Sequence, residues 1–175
     1  MKLVHVSEES NIEKFIPRVP YREDVDQSKG LVWALTEHQL KKFLTPRDCP
    51  RITYCATDTT TQADIDNFFT TSSRYCIAIE NGWFKTMVDT AIYAYEFNPS
   101  NFYFDIDAGF YVSDQTEVPI SVTRYDDLFG TLFEMNIEIR ILNNLWGLAE
   151  AVKQTSLHLS MCRMANAKPM AEVSV

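Results

Sequence analysis

Apolar positions recur along this chain with two different periods, and the switches between them mark out the elements. Leu3, Val4 and Val6 flank His5 as in a short first strand. Ile12, Phe15 and Ile16 then recur at helical spacing behind the polar run 7–10, so the pattern predicts a turn of helix stopped by Pro17. Residues 20–30 are polar and charged and end in Ser28-Lys29-Gly30, which reads as an exposed loop. Residues 31–35 form a compact apolar run, a buried strand. Thr36 and Gln39 then supply a capping-box pattern for a helix burying Leu40, Phe43 and Leu44.

The alternation continues in the same manner. Residues 51–55 are strand-like, and the threonine-rich run 57–61 offers N-caps for a helix with Ile65, Phe68 and Phe69 inside. Strands follow over 75–79 and 90–97, around a short helix carrying Trp83 and Phe84. Aromatic strands over 102–106 and 109–113 come next, then a strand over 118–125. Asp126 caps a helix with Leu128, Phe129, Leu132 and Phe133 inside. Ile137, Ile139 and Ile141 alternate with Glu138 and Arg140 in a period-two strand. Asn143 or Asn144 caps a last helix, and residues 156–164 fit helix or strand equally well. The sum is seven or eight short strands with four or five helices. Strands follow one another directly in the middle, which favours a compact α+β domain over 1–167, with a mixed and possibly split sheet flanked by helices. Residues 168–175 read as a flexible tail.

At 175 residues with 46% apolar and 13% aromatic side chains, the chain can bury a core without metal or disulfide. Its formal charge of −8 argues against nucleic-acid and anionic-membrane partners, which need clustered Lys and Arg. Four scattered cysteines show no metal-ligand or redox spacing, no segment is long and apolar enough to span a membrane, and the start lacks a signal-peptide core. A cytoplasmic location is the expectation. Neither G-x-G-x-x-G nor the P-loop pattern occurs.

Three constellations can carry chemistry. His5 lies early on an apolar strand, where imidazole can anchor a hydroxyl or act as base. The same residue fits a ring satisfied by neighbouring backbone. Asp105 and Asp107, two apart on one strand, could hold Mg²⁺ in a metal-assisted hydrolase, or could simply face solvent. The loop 111–117 places Ser113, Gln115 and Glu117 together at a strand edge, where a carboxylate could activate a hydroxyl or stabilise positive charge. A plain polar hairpin explains it too.

Several segments together resemble a small uncharacterised bacterial domain family. They are His5-Val6-Ser7, Phe15 to Arg18, Val32-Trp33-Ala34, Pro46 to Arg51, Tyr111 to Ser113 with Val118-Pro119, and Arg163 to Ala167. The order His5, Trp33, then Gln115-Thr116-Glu117 is also similar to ADP-ribosyltransferase-like domains. That resemblance implies NAD as substrate, with ADP-ribosyl transfer or NAD glycohydrolysis as the activity. His5 and Arg18 would hold ribose and phosphate, with Trp33, Tyr111 and Ser113 lining the cofactor cleft between the halves of a split sheet. Glu117, with His5, would be catalytic. No metal and no tightly held cofactor is expected. The alternative is a non-catalytic interaction protein, whose aromatics serve a core and a partner face. Nothing in the sequence specifies an oligomeric state.

Overall fold

A computed structural model describes residues 1–19, 27–107 and 109–170. The chain is α+β, with ten strands and four α-helices among the described residues. Its contacts group into two compact units, residues 1–44 with 91–126 and residues 45–90 with 127–175. Each unit holds one sheet.

The first unit is built on β1 (Leu3–Ser7), β2 (Val32–Thr36), β5 (Ile92–Phe97), β6 (Tyr103–Asp105), β7 (Phe110–Ser113) and β8 (Ser121–Tyr125). They form one sheet in the order β6-β7-β2-β1-β5-β8, antiparallel throughout. The first strand of the chain is therefore central. Its residues Leu3 and Val4 are buried, as an inner strand covered on both faces requires. A 3-10 helix over Glu37–Phe43 follows β2, entered through Thr36, whose N–H and hydroxyl both donate to Gln39 Oε1 at 3.1 and 3.2 Å. The capping signal was real, but the turn is tighter than α.

The second unit contains β3 (Arg51–Cys55), α1 (Gln62–Phe68), β4 (Tyr75–Glu80), α2 (Phe84–Asp89), α3 (Leu128–Glu134), β9 (Glu138–Leu142), α4 (Trp146–Lys153) and β10 (His158–Cys162). Its sheet runs β10-β3-β4-β9, and β4 with β9 is a parallel pair. One face packs Ile52, Tyr54, Cys76 and Ala78 against Leu145, Ala149 and Val152 at α4, with Ile65 and Phe68 of α1 beside them. The ambiguous segment 156–164 resolves as strand, because β10 pairs residue for residue with β3.

Three expectations change. Residues 8–18 form no helix. Phe15 exchanges backbone bonds with Glu117 at 2.8 and 2.9 Å, and Arg18 pairs with Leu31, so the donors a helix would use are committed elsewhere. The helix after Asp126 is capped by Asp127, whose side chain accepts from Gly130 N–H at 2.8 Å, and Phe133 is exposed, not internal. The chain is also held past 167. Lys168 N–H donates to Glu80, Trp146 Nε1 donates to Lys168 O, and Asn144 donates to Pro169 O. Residues 171–175 of the expected tail, and 20–26 of the expected loop, lie outside the described residues.

Candidate functional site

Side chains opposite one another in an antiparallel ladder project to the same face. His5 pairs with Tyr95, and Leu3 with both Phe97 and Thr36. Val32 pairs with Ser113 and Ala34 with Tyr111. His5, Tyr95, Tyr111 and Ser113 therefore share one face of the six-stranded sheet. Trp33 pairs with Val112, which is the opposite parity. Its indole lies on the other face, 6.0 Å from the ring of Phe110. Trp33 and His5 are thus not brought together as side chains. What joins them is the Trp33 carbonyl, 2.8 Å from His5 Nδ1. A carbonyl only accepts, so Nδ1 carries the proton there, and Nε2 is the acceptor position of the neutral ring.

The segment 9–18 crosses the His5 face in extended form. Phe15 is its anchor, with its ring 4.8 Å from His5, 5.2 Å from Tyr95 and 5.0 Å from Phe97. Tyr95, 1% exposed, donates its hydroxyl to Glu9 O and accepts from Ile12 N–H. The backbone bridge between Phe15 and Glu117 then carries Glu117 to the same place. Its carboxylate is 5% exposed and accepts from the fully buried Ser113 hydroxyl at 2.6 Å. Ser113 Oγ also accepts from Gln115 N–H, so the hydroxyl sits between a donor and the carboxylate. His5 and Glu117 are both neighbours of Phe15.

Arg18 lies at the end of the covering segment, exposed, with its backbone paired to Leu31. Gly30 makes that pairing feasible. A Cβ there would stand 2.9 Å from the backbone of Pro17, closer than real side chains come. Tyr111 is half-buried and rests edge-on against Phe104 at 5.4 Å. Gln115 is exposed in the loop.

Other residues singled out from the sequence have different settings. Asp105 ends β6, while Asp107 lies beyond it in the turn. Among the described residues, no group of three His, Cys, Asp or Glu side chains could hold a metal ion. The segments around Pro46 and Arg163 meet within the second unit. Arg163 Nε donates to Arg47 O at 3.1 Å, Asn166 to Asp48 O at 2.8 Å, and buried Arg51 to Cys49 O. These are bonds that shape a proline-bounded loop.

Sequence reasoning missed a polar network in the second unit. Glu138, 8% exposed, accepts from Thr70 N–H, the Thr71 hydroxyl and Arg140. Burial works against its charge, but the donors, Arg140 first, outweigh it and hold the carboxyl below its ordinary value. Arg140 also lies over the Tyr54 ring, 5.7 Å from its centre. A surface depression of about 360 Å³ opens beside this network, lined by Thr70, Thr71, Ser73, Phe133 and residues 136–140. None of the His5-face residues lines it. The signal was available: Glu and Arg two apart on a strand must share a face.

Comparison with known proteins gives a family without a role. The α+β architecture defines the class in general terms. A model described as a family of unknown function, DUF6886, matches residues 4–167, and the chain belongs to that family. This is the small uncharacterised domain family expected from the spread of motifs. No curated protein and no solved structure matches significantly. Among the described residues no helix is long and apolar enough to cross a membrane.

Proposed function

We propose that this domain binds NAD or a related nucleotide on the His5 face of its six-stranded sheet, with ADP-ribosyl transfer or NAD glycohydrolysis as its chemistry. The observation that carries the reading is the shared setting of His5 and Glu117. Both side chains lie on one face and both neighbour Phe15, although 112 positions separate them in sequence. A buried carboxylate aligned by a serine hydroxyl suits the orientation of an attacking hydroxyl and the stabilisation of an oxocarbenium-like state. His5, its ring fixed through Nδ1, would contact the ribose, and Arg18 would meet phosphate. Tyr111 would supply the stacking surface, since Trp33 belongs to the other face. Four cysteines outside any disulfide and the acidic balance fit a cytoplasmic protein with a small-molecule ligand, not a nucleic acid or membrane.

Titration calorimetry with NAD, backed by thermal shift, tests this. Binding that is lost in His5→Ala, with turnover lost in Glu117→Gln while binding persists, is the expected result. No heat and no shift at millimolar NAD would overturn it.

The interaction-protein reading draws on the hairpin after β6. Ile106 is 85% exposed, with Phe104 and Tyr103 about half exposed beside it. If Phe104→Ser with Ile106→Ser leaves every NAD response intact but abolishes a protein contact, that reading prevails.

A further inference from the structure

The outer strand β9 pairs with β4 and, among the described residues, with no strand on its other side. An open edge of this kind presents backbone donors and acceptors to another strand. Natural edges are usually protected by charges that repel a second copy. Here the charges do the reverse.

Residues 137–141 read Ile-Glu-Ile-Arg-Ile. The run is self-complementary about Ile139. In antiparallel pairing of two copies centred there, each Glu138 lies across from the partner's Arg140, and Ile139 faces itself. Ile137, which precedes β9 and gives its N–H to Leu132 O, lies across from the partner's Ile141 on the face of Ile139, opposite to that of Glu138 and Arg140. Within one chain Glu138 and Arg140 already form an ion pair at 2.8 Å. Two chains would thus close a square of alternating charge, in which each guanidinium has two carboxylate neighbours. Sliding the pairing by one step of the same parity sets Arg140 against itself or Glu138 against itself, which like-charge repulsion disfavours. One register is therefore selected by charge, and the isoleucine row is continuous in that register alone.

Apolar surface flanks the same edge. Phe133 is 62% exposed, Ile141 42% and Met135 39%. Strand pairing alone covers less than the roughly 1,200–2,000 Å² that stable interfaces bury. These side chains supply area of the right character beside it.

We propose that the open edge of β9 is a dimerisation surface, pairing antiparallel with β9 of a second copy about Ile139. The surface belongs to the second unit and the His5 face to the first, and its test does not depend on NAD.

Sedimentation across a wide concentration range should show a reversible dimer. In a Cys55→Ser, Cys162→Ser background, Ile139→Cys should form a disulfide-linked dimer under mild oxidation, because position 139 faces itself. Ile141→Cys, though well exposed, should not, because it faces position 137. Arg140→Glu should weaken the dimer at least tenfold, and the exchange Glu138→Arg with Arg140→Glu should restore it. If the charge variants do not fold, the cysteine pair decides alone, since it leaves the ionic network untouched. A monomer at every concentration overturns the proposal. So does a dimer that Ile139→Cys fails to link, or one that Ile141→Cys links faster.

Discussion

Replacing Tyr95 by Phe isolates what holds the covering segment on the sheet. The ring is fully buried, and Phe fills the same volume, so the substitution opens no cavity. What is lost is one hydroxyl with two bonds, to Glu9 O at 2.5 Å and from Ile12 N–H at 3.3 Å. A typical internal hydrogen bond contributes about 1 kcal/mol net, and an unsatisfied partly buried group costs somewhat more, so the loss is about 1.5–2.5 kcal/mol. For a chain of this length each kcal/mol moves the melting temperature by about 2–4 °C, giving a drop of roughly 3–10 °C. Calorimetric melting measures the total. Hydrogen exchange at the Ile12 amide reports the place, and its protection should fall by one to two orders of magnitude. Because Phe15 sits on the same segment, any NAD affinity should weaken in parallel. A melting change below about 1 °C with unchanged Ile12 exchange would refute the claim that Tyr95 clasps this segment, because the structure allots it no other polar role.

Three further outcomes follow from the same structure. Gly30→Ala should destabilise by more than the usual tolerance of a loop site, because its Cβ would meet Pro17 backbone at 2.9 Å; denaturant midpoints measure this, and an unchanged midpoint refutes the close approach. Burial pushes the Cys49 thiol up to about 12 and Cys76 to about 11, so native protein at pH 8 should be alkylated at Cys55 and Cys162 alone, and at all four cysteines in denaturant; peptide mass mapping decides. Glu138 titrates below its ordinary value of 4.5 in the folded state, so its stabilisation is present above pH 4.5 and is lost as pH falls through the folded value; Glu138→Gln should flatten that acid limb of the melting profile, and a wild-type limb that survives the substitution unchanged refutes it.

Period-two strands with one clear partner face were readable, as at 92–97 and 137–141, since burial and pleat impose the same alternation. Local capping was readable at Thr36 and, within one residue, at Asp127, because a cap is settled by its neighbours. Tertiary competition was not. Residues 8–16 carry helical spacing, yet the Tyr95 hydroxyl and the Glu117 backbone, some 80 to 100 positions away, take their polar groups. The candidate site illustrates a second limit. Motif order nominates His5, Trp33 and Glu117 alike, yet His5 and Glu117 share a face while Trp33 lies on the opposite one. Which face a residue occupies depends on inter-strand register, and a one-residue shift reverses it. The network at Glu138 was visible as letters, but the Thr70 and Thr71 donors that give it meaning come from 68 and 67 positions upstream.

The central position of β1 has a consequence for how the chain is made. Its long partner β5 is not synthesised until residues 92–97, after the whole stretch 45–90 that belongs to the other sheet. At translation rates of roughly 5–20 residues per second, β1 and β2 wait several seconds before that partner emerges. During the interval Val4, Val32 and Leu35 have no completed sheet to cover them. The second unit is no further advanced at that point, since α3, β9, α4 and β10 are all still to come. In an emerging chain of this design β1 therefore lacks its β5 partner until residues 92–97 are made, and β3 and β4 wait longer still, for β10 and β9.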